Sequence, residues 1–345
     1  MKKIFYLVPN NKIHPLSKLF LDKKSFEYIY LPLKGIKKFL FLFFNIFYPI
    51  FRLNHNQIFI LFSMFLKRKN KLISYSYVSR KIQDLSNKFS FIRIIQIQNG
   101  SLHPLMVNSL NLENIDIFFS YSKYQSKFAL KHFAKEAYVV GSLSTEYWLK
   151  NIDIAIELKG FKYDICFICN AKFRDDDKYA LFLCINYILS DKKLSLVIAS
   201  KLLTDIEAIA IFCRKKFNID IFEHNQIFLT KKYTKFTTIQ RALESKVIVG
   251  VRSTVLFQAG SLGLIIYPID ISKSYGKASG NLSKLKLDLY PSKNSFAQSM
   301  KKLSTKKGME LYFKSNFNVL TQLDDTLRLS RYPSDNIINY LKDLK

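Results

Sequence analysis

Arg252, Ser253 and Thr254 stand between an apolar run, Lys246–Val251, and a helical pattern, Val255–Leu262. A hydroxyl at such a junction can cap the helix. The helix terminus then offers free amides and the positive end of its dipole to a phosphate. The Arg252 guanidinium adds a fork of donors. The same residues would serve equally as an ordinary helix start. A second junction is Gln98-Asn99-Gly100-Ser101-Leu102-His103-Pro104, after the run Ile92–Ile97. Asn-Gly admits a left-handed turn, which turns amides and side chains toward a cleft. His103 is a candidate general base there, because imidazole titrates near neutrality. His14, in the loop Pro9–His14, is a second candidate base. Gly141 and Ser142 follow the run Ala137–Val140 and suit either ligand contact or a plain turn. Glu223-His224 follows the apolar run Ile219–Phe222 and places a carboxylate at what reads as a strand end.

Other polar clusters carry less. Asp175-Asp176-Asp177 precedes the helical pattern Lys178–Leu189, where acids complement the helix dipole. The triplet lacks the rest of a calcium loop. The four cysteines stand at 166, 169, 184 and 213. Cys166 and Cys169 form a CxxC inside an apolar run with no second pair, so buried reduced thiols are expected rather than zinc or redox chemistry. No phosphate-binding P-loop, nucleophile elbow or HExxH occurs.

These residues need a frame. The chain has 345 residues, 49% of them hydrophobic and 23% charged, which suits one large domain or two and excludes a mainly disordered chain. Lys+Arg 54 against Asp+Glu 26 gives a net charge of +28. Such a balance favours acidic partners: nucleic acid, anionic lipid or phosphorylated substrates. The 31 Phe and 20 Tyr are spread along the chain, and no nucleic-acid module signature appears, so no specific nucleic-acid partner is expected. Solvated lysine with no site behind it explains the charge equally well.

Short apolar runs alternate with longer helical patterns. Strands are expected at Ile4–Val8, Leu72–Tyr75, Ile92–Ile97, Ile117–Tyr121 and Ala137–Val140, then again at Tyr163–Ile168, Leu194–Ala199, Lys246–Val251 and Ile265–Ile269. Helices are expected between them, at Lys123–Phe133, Lys178–Leu189, Asp205–Phe217 and Thr238–Glu244 among others. That alternation predicts parallel sheets in an α/β fold. Two runs of it predict two Rossmann-like domains, 1–150 and 151–345, the second ending in a helical tail.

The start, Met1-Lys2-Lys3 followed by Ile4–Val8, is too short in its apolar part for a signal peptide, whose core spans about 7–15 residues. Phe39–Phe51 reads FLFLFFNIFYPIF between Lys38 and Arg52. It falls short of the roughly 20 residues needed to span a bilayer. A core helix and a helix lying on an anionic membrane surface both fit it.

RIIQIQNG (Arg93–Gly100), IDIFFSYSKYQSKFA (Ile115–Ala129) and VVGSLS (Val139–Ser144) together resemble the N-terminal half of bacterial surface-carbohydrate biosynthesis transferases, of capsule or lipopolysaccharide O-antigen pathways. YDICFIC (Tyr163–Cys169) and SKVIVGVRSTVLFQAGSLGLIIYPID (Ser245–Asp270) are similar to the strand and nucleotide-site segments of their second domain. The resemblance spans roughly residues 70–270. It implies the GT-B architecture, two Rossmann-like domains facing a cleft. The implied activity is glycosyl transfer from a nucleotide-sugar to a lipid-linked saccharide acceptor, with no obligate metal or cofactor, in the cytoplasm or peripherally on the inner face of the membrane. By the same resemblance Arg252, Ser253 and Thr254 would contact donor phosphate, and Glu223 would lie on the donor side. The family holds the donor ribose with an acidic residue after the first turn of that helix; here the position is Gln258, which brings no charge. The same frame serves polyol-phosphate transfer, sugar-nucleotide epimerisation or a non-catalytic scaffold of the pathway.

Overall fold

The computed structural model describes residues 4–9, 26–31, 71–74, 83, 87–98, 112–151, 160–169, 173–200, 203–229, 237–251, 253–270, 280–325 and 332–343. The Phe39–Phe51 segment lies outside them. The chain forms two compact units, Met1–Tyr147 with Arg328–Lys345, and Trp148–Leu327. Among the described residues no helix is long and apolar enough to cross a membrane.

The first unit contains β1 (Ile4–Pro9), β2 (Phe26–Leu31), β3 (Lys71–Ser74), β4 (Arg93–Ile97), β5 (Ile115–Ser120), α1 (Lys123–His132) and β6 (Ala134–Val139), followed by α2 (Leu143–Asn151), which begins in this unit. Its strands form one parallel sheet in the order β2-β1-β3-β4-β5-β6. The second unit contains β7 (Tyr163–Ile168), α3 (Asp175–Leu189), β8 (Leu196–Ala199), α4 (Leu203–Phe217), β9 (Ile227–Leu229), α5 (Thr237–Leu243), β10 (Ser245–Gly250), α6 (Thr254–Ser261), β11 (Ile265–Pro268), a 3-10 turn at Gly280–Lys284, α7 (Lys293–Leu303) and α8 (Lys306–Leu320). Its parallel sheet runs β11-β10-β7-β8-β9. A last helix, α9 (Pro333–Asp343), follows.

The central strands are nearly continuous apolar runs because helices cover both faces of such a sheet. β8, Leu-Val-Ile-Ala, is buried at every residue, and β7 and β10 are buried at all but their second position. β7 and β10 register Ile165 against Val247 and Phe167 against Val249. Gly250, at the end of β10, brings the backbones together: a Cβ there would lie 3.3 Å from the Ile168 carbonyl.

Two strands escape the sequence reading. β2 is the aromatic run FEYIYL, bounded by Ser25 and Pro32, and is absent from the expected strands. β9 has only three residues, and the neighbouring run Ile219–Phe222 drew the assignment instead. That run lies in the first half of the α4–β9 connection, with a turn over 221–223. Four residues of α4 and its neighbours explain why the chain turns early: Asn218 adopts φ 56°, and Asp220 accepts from the Phe222 amide at 3.0 Å while pairing with Arg214.

The C-terminal helix corrects the domain reading. It belongs to the first unit, where the sequence reading appended it to the second. The buried Glu146 carboxylate accepts from the Ser334 amide at 2.7 Å and from its hydroxyl at 2.6 Å. A carboxylate at a helix N-terminus also meets the positive end of the dipole. The Asn336 amide donates to the Val140 carbonyl, and Tyr340 packs on Tyr138 and Phe119. The helix thus packs on the face of the sheet shared by β5 and β6. At the other sheet's edge, the Tyr312 hydroxyl accepts from the Ile266 amide at 3.1 Å and donates to the Ile266 carbonyl at 3.0 Å. One side chain so occupies the outward backbone groups of β11, and its burial pushes the phenol pKa up.

Tyr312→Phe should destabilise the protein by about 1–3 kcal/mol for each Ile266 group left without a partner, read by urea unfolding. Glu146→Ala should cost about 1.5–3 kcal/mol for its charge-assisted bonds and raise amide exchange across α9, with little change in the second sheet.

Candidate functional site

In a doubly wound sheet the strand order reverses beside the first strand, and ligands bind outside the carboxyl ends at that reversal. In the second unit the chain moves from β7 outward to β8 and β9, then returns to the other side of β7 as β10 and β11. The reversal therefore lies between β7 and β10. The turns leaving those two strands flank it: Cys169 after β7, and Val251, Ser253 and Thr254 after β10.

The turn after β10 has the local geometry of a helix cap. Ser253 adopts extended backbone angles, and its hydroxyl accepts from the Val255 amide at 3.3 Å. Its carbonyl accepts from Leu256 at 3.0 Å. Val255 to Gly260 are all buried, because α6 packs on β10, β11 and α8. A Cβ on Gly260 would come within 2.8 Å of Ile266 Cδ1 and 3.0 Å of Leu323 Cδ1, so a small residue sets this approach. Gly263 ends the helix at φ +83°, with the Leu264 amide bonded back to Ala259.

Charge separates α6 from its neighbours on the same edge. The first turn of α3 holds Asp175, Asp176 and Asp177, and that of α4 holds Asp205. Asp177 Oδ2 accepts from the Arg174 amide at 3.2 Å, and Asp175 pairs with Lys178 at 2.7 Å. The Lys178 hydrogen bond and charge hold the Asp175 carboxyl below its usual range. These helix termini carry their own anions, as the sequence predicts for the aspartate triplet. The first turn of α6 has no acid and a neutral cap. Of the two helices that follow the strands flanking the reversal, α3 and α6, it is the one whose terminal field is left for an outside anion.

The cysteines supply no nucleophile. All four are buried and free. Burial raises the Cys169 thiol first, and the charges of Asp177 and Asp205 raise it further. Burial takes Cys213 to about 12. Among the described residues no group of His, Cys, Asp and Glu is arranged to hold a metal ion.

The residues singled out in the sequence divide as follows. Ser253, Thr254 and Gln258 share α6 and its cap, with Gln258 buried at 2% exposure. Gln98, Gly141 and Ser142 share the carboxyl edge of the first sheet. The Gln98 and Gly141 amides donate to Phe119 and Ser120 at the end of β5. The Gln98 side chain, expected to face a cleft, is instead wholly buried. Its Oε1 accepts from the Tyr121 amide at 2.8 Å and its Nε2 donates to Gln125 Oε1 at 3.2 Å. Gly141 turns the chain at φ +90°, and the buried Ser142 caps α2 by accepting from the Thr145 amide at 3.3 Å. Both read as the plain turn.

Glu223 is corrected. It precedes β9 rather than following a strand, so it sits at the amino edge of the sheet, opposite α6's N-terminus. Nearby, Gln226 Nε2 donates to the carbonyls of Ile188, Asp191 and Leu194, which lead into β8. His14, Asn99, Gly100, His103 and Arg252 lie outside the described residues. What sequence reasoning missed is Asp205 as the anion that claims α4. Its signal was present: an acid at the third position of a helix following a strand.

No family model matches the chain, and no curated protein matches it. Solved structures match over nearly its whole length. S. aureus MnaA in a structure with UDP has a TM-score of 0.63 at 14% identity, covering 99% of this chain and 96% of that one. The wall teichoic acid polymerase TagF gives 0.58 at 11%, covering 100% and 91%. A glycosyltransferase from Rickettsia africae gives 0.57 at 10%, covering 99% and 98%. At these identities the likeness establishes the fold: an α/β chain of two Rossmann-like domains, of the GT-B-like class.

Exchanging the cap separates helix from site. Ser253→Ala should lower stability by about 1 kcal/mol, read by urea unfolding. Ser253→Asp should keep the cap and hold stability within about 1 kcal/mol, while its carboxylate weakens any anion bound at α6.

Proposed function

We propose that the protein is a glycosyltransferase of bacterial surface-polysaccharide assembly, taking a nucleotide-sugar as donor and a lipid-linked saccharide as acceptor. The observation that carries the reading is the acid-free N-terminus of α6, capped by Ser253 at the strand reversal. A diphosphate suits that field, and the Arg252-Ser253-Thr254 turn supplies further donors. The fold likeness to a glycosyltransferase supports the transfer, and the likeness to proteins solved with UDP and with UDP-GlcNAc supports the donor class.

In the proposed reaction the acceptor hydroxyl oxygen bonds to the anomeric carbon. The bond from that carbon to the donor diphosphate breaks, and the nucleotide leaves with the electron pair. A base takes the hydroxyl proton; His103 and His14 are the candidates from sequence. The α6 amides and Arg252 stabilise the leaving diphosphate, so turnover should persist in a chelator. Gln258, which stands where the resembled family has an acidic residue, is buried and brings no charge to the donor.

Sugar-nucleotide epimerisation is the second reading. It is favoured by the likeness to UDP-GlcNAc 2-epimerases, including one from Neisseria meningitidis bound to UDP-GlcNAc, at TM-score 0.61 and 9% identity.

Thermal shift against UDP-, GDP-, CDP- and dTDP-sugars tests the site. One nucleotide should stabilise the protein by about 2.7 kcal/mol at a hundredfold excess over Kd. The increment should vanish in Ser253→Ala/Thr254→Ala, and its persistence there would remove the turn from the site. NMR of the bound sugar-nucleotide then decides between the readings: inversion at a sugar carbon without acceptor means epimerase, and turnover only with a lipid-linked saccharide means transferase.

A further inference from the structure

The last helical pair of the second unit carries a basic and apolar surface that the nucleotide reading does not use. α7 ends in Lys301 and Lys302, and α8 begins with Lys306 and Lys307. Thr305 caps α8, accepting from the Gly308 amide at 3.0 Å. A Cβ on Gly308 would overlap the Lys302 carbonyl, so glycine lets the first turn of α8 sit against the last turn of α7. The four lysines gather at that corner, all exposed.

Along α8, Gly308, Tyr312, Asn316 and Leu320 are buried at four-residue spacing. The helical period puts Lys307, Leu311, Lys314 and Asn318 on the opposite side, flanked by Glu310 and Phe317. Leu311 is 41% exposed and Phe317 63%. Between residues 293 and 321 there are six lysines and one acid, Glu310. Among the described residues, Lys301, Lys302, Lys306, Lys307 and Lys314 take part in no ion pair.

A helix whose only task is to cover a sheet has no need of Leu and Phe opposite its core. Lysines flanking exposed large apolar groups suit a helix lying in a bilayer interface, where anionic headgroups attract the lysines. A second copy of a chain with net charge +28 would be repelled. Nucleic acid would satisfy the lysines and could stack on Phe317, but it leaves Leu311 without a partner, whereas a bilayer takes both side chains. We propose that this surface docks the protein on an anionic lipid bilayer. α8 lies in the membrane plane, Leu311 and Phe317 enter the boundary between headgroups and acyl chains, and the lysines meet lipid phosphates. The inference stands apart from the donor reading and uses none of its residues.

The test is co-sedimentation of the full chain with phosphatidylcholine vesicles, with and without phosphatidylglycerol. The protein should pellet with the anionic vesicles. Each lysine near such a surface contributes about fivefold in partitioning, so Lys301→Gln, Lys302→Gln, Lys306→Gln and Lys307→Gln together should weaken it on the order of several hundredfold. Leu311→Ser with Phe317→Ser should weaken it about a hundredfold while keeping the preference for anionic lipid. Circular dichroism should match the parent chain for both variants. As an independent readout, Phe317→Trp should add blue-shifted emission on anionic vesicles, above the background of Trp148, the one tryptophan. Three results would overturn the proposal: equal pelleting with both vesicle types, pelleting unchanged by either set of substitutions, or tight DNA binding with no pelleting at all.

Discussion

A parallel sheet sends every strand's carboxyl end to the same edge. Each strand must then be reached by a crossover that returns the chain to the opposite edge, and a helix is the compact way to satisfy the backbone on that return. Both sheets here are parallel throughout. Every loop that follows a strand is therefore gathered on one side of its unit, and so is every helix N-terminus that such a loop feeds. The position of the candidate site is a consequence of that one constraint, because the reversal of strand order between β7 and β10 opens the edge beside the α6 cap.

Gathering several helix N-termini on one edge concentrates positive field there. The chain disposes of that field unequally. Asp177 and Asp205 place carboxylates in the first turns of α3 and α4, while α6 begins with Ser253, Thr254 and apolar residues. An internal carboxylate competes with any ligand for the same amides. Of the two helices that leave the strands flanking the reversal, α3 and α6, the acid-free α6 is the one at which an outside anion meets no internal competitor. The first sheet shows the contrasting use of a carboxyl edge. There Gln98, Ser120, Ser122 and Gln125 spend their polar groups on each other and on the backbone, fixing β4, β5 and α1 together.

Distant parts of the chain handle the β11 edge and the sheet face beside β6. β11 has its outward groups occupied by Tyr312, forty-six residues downstream of Ile266. β6 receives α9, held by a carboxylate 188 residues away in sequence. Edge strands left bare are templates for pairing with another chain. The same helices that give this cover turn their outer faces to solvent, which is how α8 combines a structural inner face with a basic and apolar outer one.

Much of the fold was legible in the sequence because local patterns are set by local physics. Strands β7, β8, β10 and β11 are apolar runs of strand length bounded by polar turns, and α3 to α6 follow them with helical spacing. The Ser253 cap, the aspartate triplet as a helix start and the buried cysteines likewise follow from residue type and near neighbours. The strand order did not, because which strands become neighbours depends on contacts between residues far apart in the chain. That order decided that the turn after β10 lies at a reversal; the start of β9 at Ile227 put Glu223 on the opposite edge, and the Tyr121 amide and Gln125 drew Gln98 inward. The short strand β9 and the return of α9 to the first unit were hidden for the same reason: a three-residue strand exists only because β8 is there to pair with it, and α9 docks only because Glu146 and Tyr138 await it.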